Sequence, residues 1–284
     1  MKSDVDSLTR EVRDLKARLA AIESSRWWRL HPRVARRRLS GHGRGDANPA
    51  VDDQRSGPAF PLDFEQTDIE LYRRVDDYTM TTPPRIYALA RAVEYVAARE
   101  IPGAIVECGV WRGGSMMAAA LTLLRLGVSD RDLYLFDTFM GMTPPSDEDV
   151  RGSGERAADL LAAEGPESDI WAIASLEDVR DAVLGVGYPV ERIHFVKGPV
   201  EETLPARAPD EIALLRLDTD WYASTKHELV HLYPRLARGG VLILDDYGNW
   251  QGARRAVDEY LSERNVPLLL NRIDNTGRLA LKPD

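Results

Sequence analysis

Between residues 1 and 25, apolar side chains recur at Val5, Leu8, Val12, Leu15, Leu19 and Ile22, separated by Arg, Asp, Glu and Lys. Steps alternating between three and four put them on one stripe of a helix, as in the seam of a coiled coil. The stripe is short for a free-standing coil, so it suits either pairing with a second copy or packing on its own domain. A homo-oligomer is the resulting expectation. Residues 26–60 break the pattern: "SRWWRLHPRVARRRL" is basic, and "SGHGRGDANPAVDDQRSGPAF" reads as a flexible linker.

From residue 61 to 284, short apolar runs alternate with amphipathic ones. "AIVECGV", "DLYLFDTF", "RIHFVKG", "IALLRLDTD" and "VLILDDYG" predict five buried strands. Between them, "GGSMMAAALTLLRLG", "SLEDVRDAVLGVG", "STKHELVHLYPRLARGG" and "QGARRAVDEYLSER" predict helices, the second opened by a Ser-x-x-Asp cap. "PPRIYALARAVEYVAARE" predicts a helix ahead of the first strand, with its prolines in the first turn. "VPLLLNR" and "GRLALKP", joined by "IDNT", predict a closing antiparallel pair. Strand–helix alternation implies an α/β domain, a mostly parallel seven-stranded sheet with helices on both faces. The long stretch from Gly141 to Gly165 predicts a loop over the ligand site, a lid.

Charge sharpens the division. The formal net charge is −9, yet residues 1–60 carry thirteen Lys and Arg against eight acids. The acidic remainder argues against a nucleic-acid enzyme. In the basic segment 26–44, Trp27, Leu30 and Val34 would share a helical face, which allows weak contact with an anionic membrane surface. Pro32 would interrupt that helix, and a solvated basic segment is the plainer alternative. No apolar run reaches the roughly 18–20 residues of a membrane span, and Cys108 is the only cysteine, so a cytoplasmic protein is expected.

The first βα turn, "VECGVWRGGS", carries candidate chemistry. In a sheet of this kind ligands bind beyond the carboxyl ends of the strands, where strand order reverses. Gly109 would let the backbone approach a ligand, but the turn is not a G-x-G-x-x-G dinucleotide loop, because Val110 and Trp111 intervene. Glu107 at the end of the first strand suits an amine and repels a diphosphate, while Asp137 ends the second strand where an acid grips ribose hydroxyls. S-adenosylmethionine, with an amine, a sulfonium and a ribose but no phosphate, fits both acids better than NAD.

Asp218 ends the fourth predicted strand, and Asp245 and Asp246 end the fifth. If the strands are neighbours, three carboxylates converge and raise each other's pKa unless a cation joins them. All-oxygen ligands suggest Mg²⁺, with Mn²⁺ and Ca²⁺ as alternatives. Such a cluster suits methyl transfer to an alcohol, with Asp218 accepting the proton and vicinal hydroxyls of a sugar or catechol as acceptor. Asp220 could orient a neighbour, cap the next helix or touch the cofactor. His227 and His231 stand four apart but lack a third partner for zinc.

"YTMT", "VECGVWRGGS", "YLFDTFMGM", "LRLDTDWYAST" and "HLYPRLARGGVLILDDYG", in that order over roughly residues 65–284, resemble the macrocin O-methyltransferase family. The resemblance implies a Rossmann-like class I methyltransferase fold, S-adenosylmethionine and Mg²⁺ as cofactors, and a sugar-containing acceptor, on a glycoside, natural product or surface glycan. It implies metal ligation by Asp218, Asp245 and Asp246, with Asp218 also the base. It further implies cofactor contacts from Thr79, Met80, Glu107, Gly109, Trp111, Asp137, Thr138, Phe139, Lys197 and Gly198. Met140 and Met142 would lie near the acceptor. Thr219 and Trp221 depart from the residues common in the family. A catechol or phenol methyltransferase, an NAD oxidoreductase and a non-catalytic module in a glycan-assembly complex are the competing readings.

Overall fold

The structure is a computed structural model that describes residues 60–165 and 168–283. The heptad stripe and the basic segment lie outside the described residues. The chain enters through helices α1 (Gln66–Val75) and α2 (Pro83–Ala98). Strand β1 (Ala104–Cys108), helix α3 (Gly114–Arg125) and strand β2 (Leu133–Asp137) follow as expected. Then come α4 (Ala157–Glu164), α5 (Leu176–Leu184), β3 (Ile193–Lys197), α6 (Val200–Thr203) and β4 (Ile212–Leu217). Helix α7 (Tyr222–Leu232), β5 (Leu236–Leu244), α8 (Gln251–Glu263), β6 (Asn271–Arg272) and β7 (Arg278–Leu281) complete it.

The seven strands form one sheet in the order β3-β2-β1-β4-β5-β7-β6. The first five are parallel, and β7 runs antiparallel to both β5 and β6. Side chains alternate between two cores. Ile105, Leu133, Leu135 and Ile243 pack with Leu71, Ile86, Met116 and Val179 on one face. Val106, Phe136, Leu215 and Leu242 pack with Leu229, Leu232 and Val257 on the other. Burial on both faces is why the strands read as continuous apolar runs, each buried Leu or Ile contributing roughly 1.5–3 kcal/mol.

Sequence patterning located the strands and the principal helices, missed α1, α4 and α6, and misplaced several ends. The Ser175 cap forms, its hydroxyl accepting the Asp178 N–H at 3.1 Å. The helix expected to run to Gly240 stops at Leu232, and a 3₁₀ turn over Tyr233–Arg235 leads straight into β5. Pro234 cannot continue a helix, and Leu236 instead pairs with Ile212. The surplus residues before Val241 are absorbed in a register shift where Gly239 takes a φ of 71°. The strand expected over "VPLLLNR" shrinks to Asn271–Arg272, because Pro267 has no N–H to donate to a ladder. The expected loop from Gly141 to Gly165 contains helix α4.

The β6–β7 turn holds a carboxylate that ties the sheet edge to α2. Asp274 accepts N–H groups from Thr276 (2.9 Å) and Gly277 (2.8 Å), the Thr82 hydroxyl (2.8 Å) and Arg85 Nε (2.8 Å). Burial works to raise its pKa, but these donors outweigh it and hold the carboxyl well below the usual range. A depressed folded pKa gives stability that is present above the unfolded value, roughly 3.9, and is lost as pH falls through the folded one. Asp274→Asn is therefore expected to lower Tm at neutral pH. The gap to the parent should close progressively below about pH 4 in thermal melts.

Candidate active site

Strand order reverses between β1 and β4, opening a crevice over their carboxyl ends. The loops that meet there are held in unusual backbone states. Trp111 after β1, Phe139 after β2 and Asp220 after β4 have φ of 47°, 51° and 65°. Such left-handed residues cost on the order of 1–3 kcal/mol each, and three at one crevice mark it as the functional face.

Gly109 is fixed by the protein itself. A Cβ there would lie 1.9 Å from the carbonyl oxygen of Asp218, so the β1 loop can pass the exit of β4 only as glycine. Gly114 N–H donates to the Tyr78 carbonyl at 2.9 Å, which seats the Tyr78–Thr81 segment on the start of α3. Asp137 is also committed to the chain. One carboxylate oxygen accepts the N–H of Val110 (2.6 Å) and Trp111 (3.1 Å), and the other accepts that of Phe139 (2.6 Å). Burial raises its pKa, against the pull of those three N–H groups. Asp137 thus clamps the β1 loop to the β2 loop, a duty that strand-end position alone did not reveal.

Two cavities occupy the crevice. The first is walled by Met80, Gly109, Trp111, Asp137, Thr138, Gly198 and Asp218. The second, of about 460 Å³, is walled by Thr79, Met80, Trp111, Asp218, Asp245 and Asp246. Met80, Trp111, Met142 and Asp218 line both, so the two are continuous across the Asp218 carboxylate. Glu107, Phe139 and Lys197 line neither. The Phe139 ring packs in the core, Lys197 is exposed at the end of β3 opposite Asp137, and Glu107 lies buried behind Arg216. Met140 is exposed on the surface. Trp221 lines the second cavity, whereas the Thr219 hydroxyl turns from the first cavity toward buried Glu228, at 3.0 Å.

The three carboxylates do converge, their oxygens lying within 4.8 Å of one another. What the sequence reading missed is their counter-charge. Arg216 contacts Glu107 (2.6 Å), Asp218 (2.7 Å) and Asp245 (2.5 Å) with a guanidinium only 4% exposed. Parallel register sets this up: Glu107 pairs with Arg216 across β1 and β4, on the same sheet face. Arg85 bonds the second oxygen of Asp245 and the Thr276 hydroxyl, so the Asp274 turn also braces the cluster. A charged residue inside the apolar run "ALLRLD" was the available signal for Arg216.

The cluster still carries more acid than base. Burial, opposed by Arg216, together with neighbouring Asp245 and Asp220 pushes the Asp218 carboxyl well up. Burial and then Asp220 do the same to Asp246. Glu107 is raised to about 7 by burial against the pull of Arg216, and its second oxygen has no hydrogen-bond partner. Asp220 rises to about 6 through burial, although Trp250 Nε1 donates to it at 2.5 Å.

The lid packs down over the second cavity. Met142, Ala157, Leu161 and Ile170 form a separate apolar cluster with Trp221 and Trp250, whose rings meet edge to face at 5.0 Å. Trp221 Nε1 donates to the Thr143 carbonyl at 2.8 Å, and the Gln251 N–H to that of Val150 at 2.8 Å. Buried Asp149 accepts from the Ser146 N–H (2.7 Å) and hydroxyl (2.8 Å). Its other oxygen accepts the Tyr222 N–H at 2.7 Å, capping α7. These side chains lie far apart in sequence, so periodicity gave no sign of them.

The sheet order β3-β2-β1-β4-β5-β7-β6, with its crevice where the order reverses, is that of a class I methyltransferase fold. Residues 68–280 match the family model described as macrocin O-methyltransferase (TylF). The chain is 34% identical to demethyldecarbamoylnovobiocin O-methyltransferase of Streptomyces niveus over 200 residues, 70% of this chain and 74% of that one. It is 30% identical to mycinamicin III 3''-O-methyltransferase of Micromonospora griseorubida, over 70% of this chain and 76% of that one. Among solved structures, the O-methyltransferase NovP superposes with a TM-score of 0.63 at 32% identity, over 73% of this chain and 83% of that one. The chain belongs to the macrocin O-methyltransferase family, and is an S-adenosylmethionine-dependent O-methyltransferase.

Proposed function

We propose that the enzyme methylates a hydroxyl of a sugar-containing acceptor, with Mg²⁺ held by Asp218, Asp245 and Asp246. The observation that carries the reading is the continuity of the two cavities at Asp218. One is framed by the β1 and β2 loops and suits the donor, and the other holds the carboxylates and suits the acceptor. The relatives' names support the sugar: they methylate novobiocin and mycinamicin precursors. Gly109, Trp111, Asp137, Thr138, Gly198 and Met80 frame the donor, Thr79 lines the second cavity beside Met80, and Glu107, Phe139 and Lys197 act from behind or beside them.

A divalent cation fits the residues present. The donor set is all oxygen, two of its three carboxylates are buried, and together they outnumber the two guanidinium groups that face them. When bound, Mg²⁺ supplies Lewis-acid polarisation of an acceptor hydroxyl whose own pKa is on the order of 16. Asp218 takes the hydroxyl proton as the oxygen attacks the methyl carbon. The C–O bond forms, the S–CH₃ bond breaks, and S-adenosylhomocysteine leaves. Arg216 holds one oxygen of Asp218 at 2.7 Å, fixing the base, and the lid excludes water. Among the described residues no helix is long and apolar enough to cross a membrane.

The reading is checked by following labelled methyl transfer from S-adenosylmethionine to a panel of glycosides and catechols, with Mg²⁺ or with EDTA. Transfer to a glycoside that EDTA abolishes is the expected result. Transfer only to catechols would overturn the sugar assignment, and none to either class would favour a non-catalytic module.

A further inference from the structure

Three arginines line the second cavity, and two of them are spent: Arg216 on Glu107, Asp218 and Asp245, and Arg85 on Asp245 and Asp274. Arg151, on the lid, is different. Among the described residues it makes no ion pair, and its Nε is buried without a hydrogen-bond partner. Its guanidinium instead lies over the Trp250 ring, 5.4 Å from the centroid. The backbone beneath it is pinned. Arg151 N–H donates to the Glu155 carbonyl at 2.8 Å, its own carbonyl accepts from Gln251 Nε2 at 2.9 Å, and it bridges to Trp250.

A counter-ion for the carboxylates would place its N–H groups on them, as Arg216 and Arg85 do. Asp220 feels the Arg151 charge, but it takes its hydrogen bond from Trp250 and makes no ion pair with Arg151. The cation–π contact holds the guanidinium over the indole, and among the described residues it makes no ion pair there. A planar fork held in this way matches the paired oxygens of a carboxylate or phosphate. A charge left unpaired in a cavity wall is costly unless a ligand completes it.

We infer that Arg151 is a specificity-determining residue that recognises an oxyanion, a carboxylate or a phosphate, carried by the sugar acceptor. The proposal rests on the reading of the second cavity as the acceptor site. It narrows the substrate class from sugars in general to acidic ones, and it assigns the lid a role in selection as well as in closure.

Saturation-transfer NMR on the full chain with Mg²⁺ and S-adenosylhomocysteine tests it, using D-glucuronate, D-glucose 6-phosphate and D-glucose as probes. At least one charged probe is expected to bind about tenfold or more tightly than glucose, the factor expected of a charge-assisted pair. The preferred probe tells carboxylate from phosphate. In Arg151→Gln the preference should collapse to about onefold, and in Arg151→Lys it should fall without vanishing, since the charge stays but the fork is lost. Equal binding of glucose and the charged sugars, a preference unchanged in Arg151→Gln, or no binding of either charged probe would each overturn the assignment. Failure of the parent protein to bind S-adenosylhomocysteine in the same samples would instead bring down the methyltransferase reading.

Discussion

Arg216→Met is expected to lower the melting temperature by roughly 10 °C or to prevent folding at neutral pH. Breaking a buried pair by removing one partner costs roughly 3–5 kcal/mol, and in a chain of this size each kcal/mol moves Tm by about 2–4 °C. Here one guanidinium serves three carboxylates, so its loss leaves several acids buried together. The pH dependence follows from the direction of the shifts. Glu107 and Asp218 are raised by burial even with Arg216 present, and without it they rise further. A group whose folded pKa exceeds its unfolded one keeps its full contribution below the unfolded pKa and loses it as pH rises through the folded pKa. The deficit of Arg216→Met should therefore be larger at about pH 8 than at about pH 5. Melts showing the same deficit at both would mean that these acids are not what Arg216 compensates.

Asp218→Asn is expected to cut kcat by roughly 10²–10⁴-fold, the usual span for a positioned acid–base group, while Tm changes little. The substitution is nearly isosteric, and the amide oxygen can still accept from Arg216, whose bond to Asp218 is 2.7 Å. What disappears is the ability to take the acceptor's proton. Steady-state kinetics separate this from a binding role. A rise in KM with kcat intact would mean that Asp218 only holds ligands, because uniform binding alone leaves kcat untouched.

Much of this was legible in the chain because strands buried on both faces leave a plain mark. β1 and β2 end in Cys108 and Asp137, β4 and β5 run straight into Asp218 and Asp245, and those ends form the crevice. The acids Asp218, Asp245 and Asp246 could be grouped because adjacent parallel strands place their carboxyl ends together. Arg216 could not be matched to Glu107 and Asp245 without the register, and Arg85 required the antiparallel turn at Asp274 as well. Asp137 shows a different limit. Its position predicted a ligand contact, and it does wall the first cavity, but its clamp on the β1 and β2 loops depends on torsions such as the positive φ of Phe139. The lid's anchors, Asp149 to Tyr222, Thr143 to Trp221 and Arg151 to Gln251, join segments some seventy to a hundred residues apart and carry no local pattern.

The central claim is that the converged acids hold a divalent cation beside the methyl donor. Calorimetric titration of Mg²⁺ into the full chain saturated with S-adenosylhomocysteine addresses it most directly, run beside Asp246→Asn. One saturable site per chain, absent or far weaker in the variant, is the expected outcome. No binding in the parent protein, with the donor product still bound, would contradict it and leave Arg216 and Arg85 as the cluster's sole counter-charge.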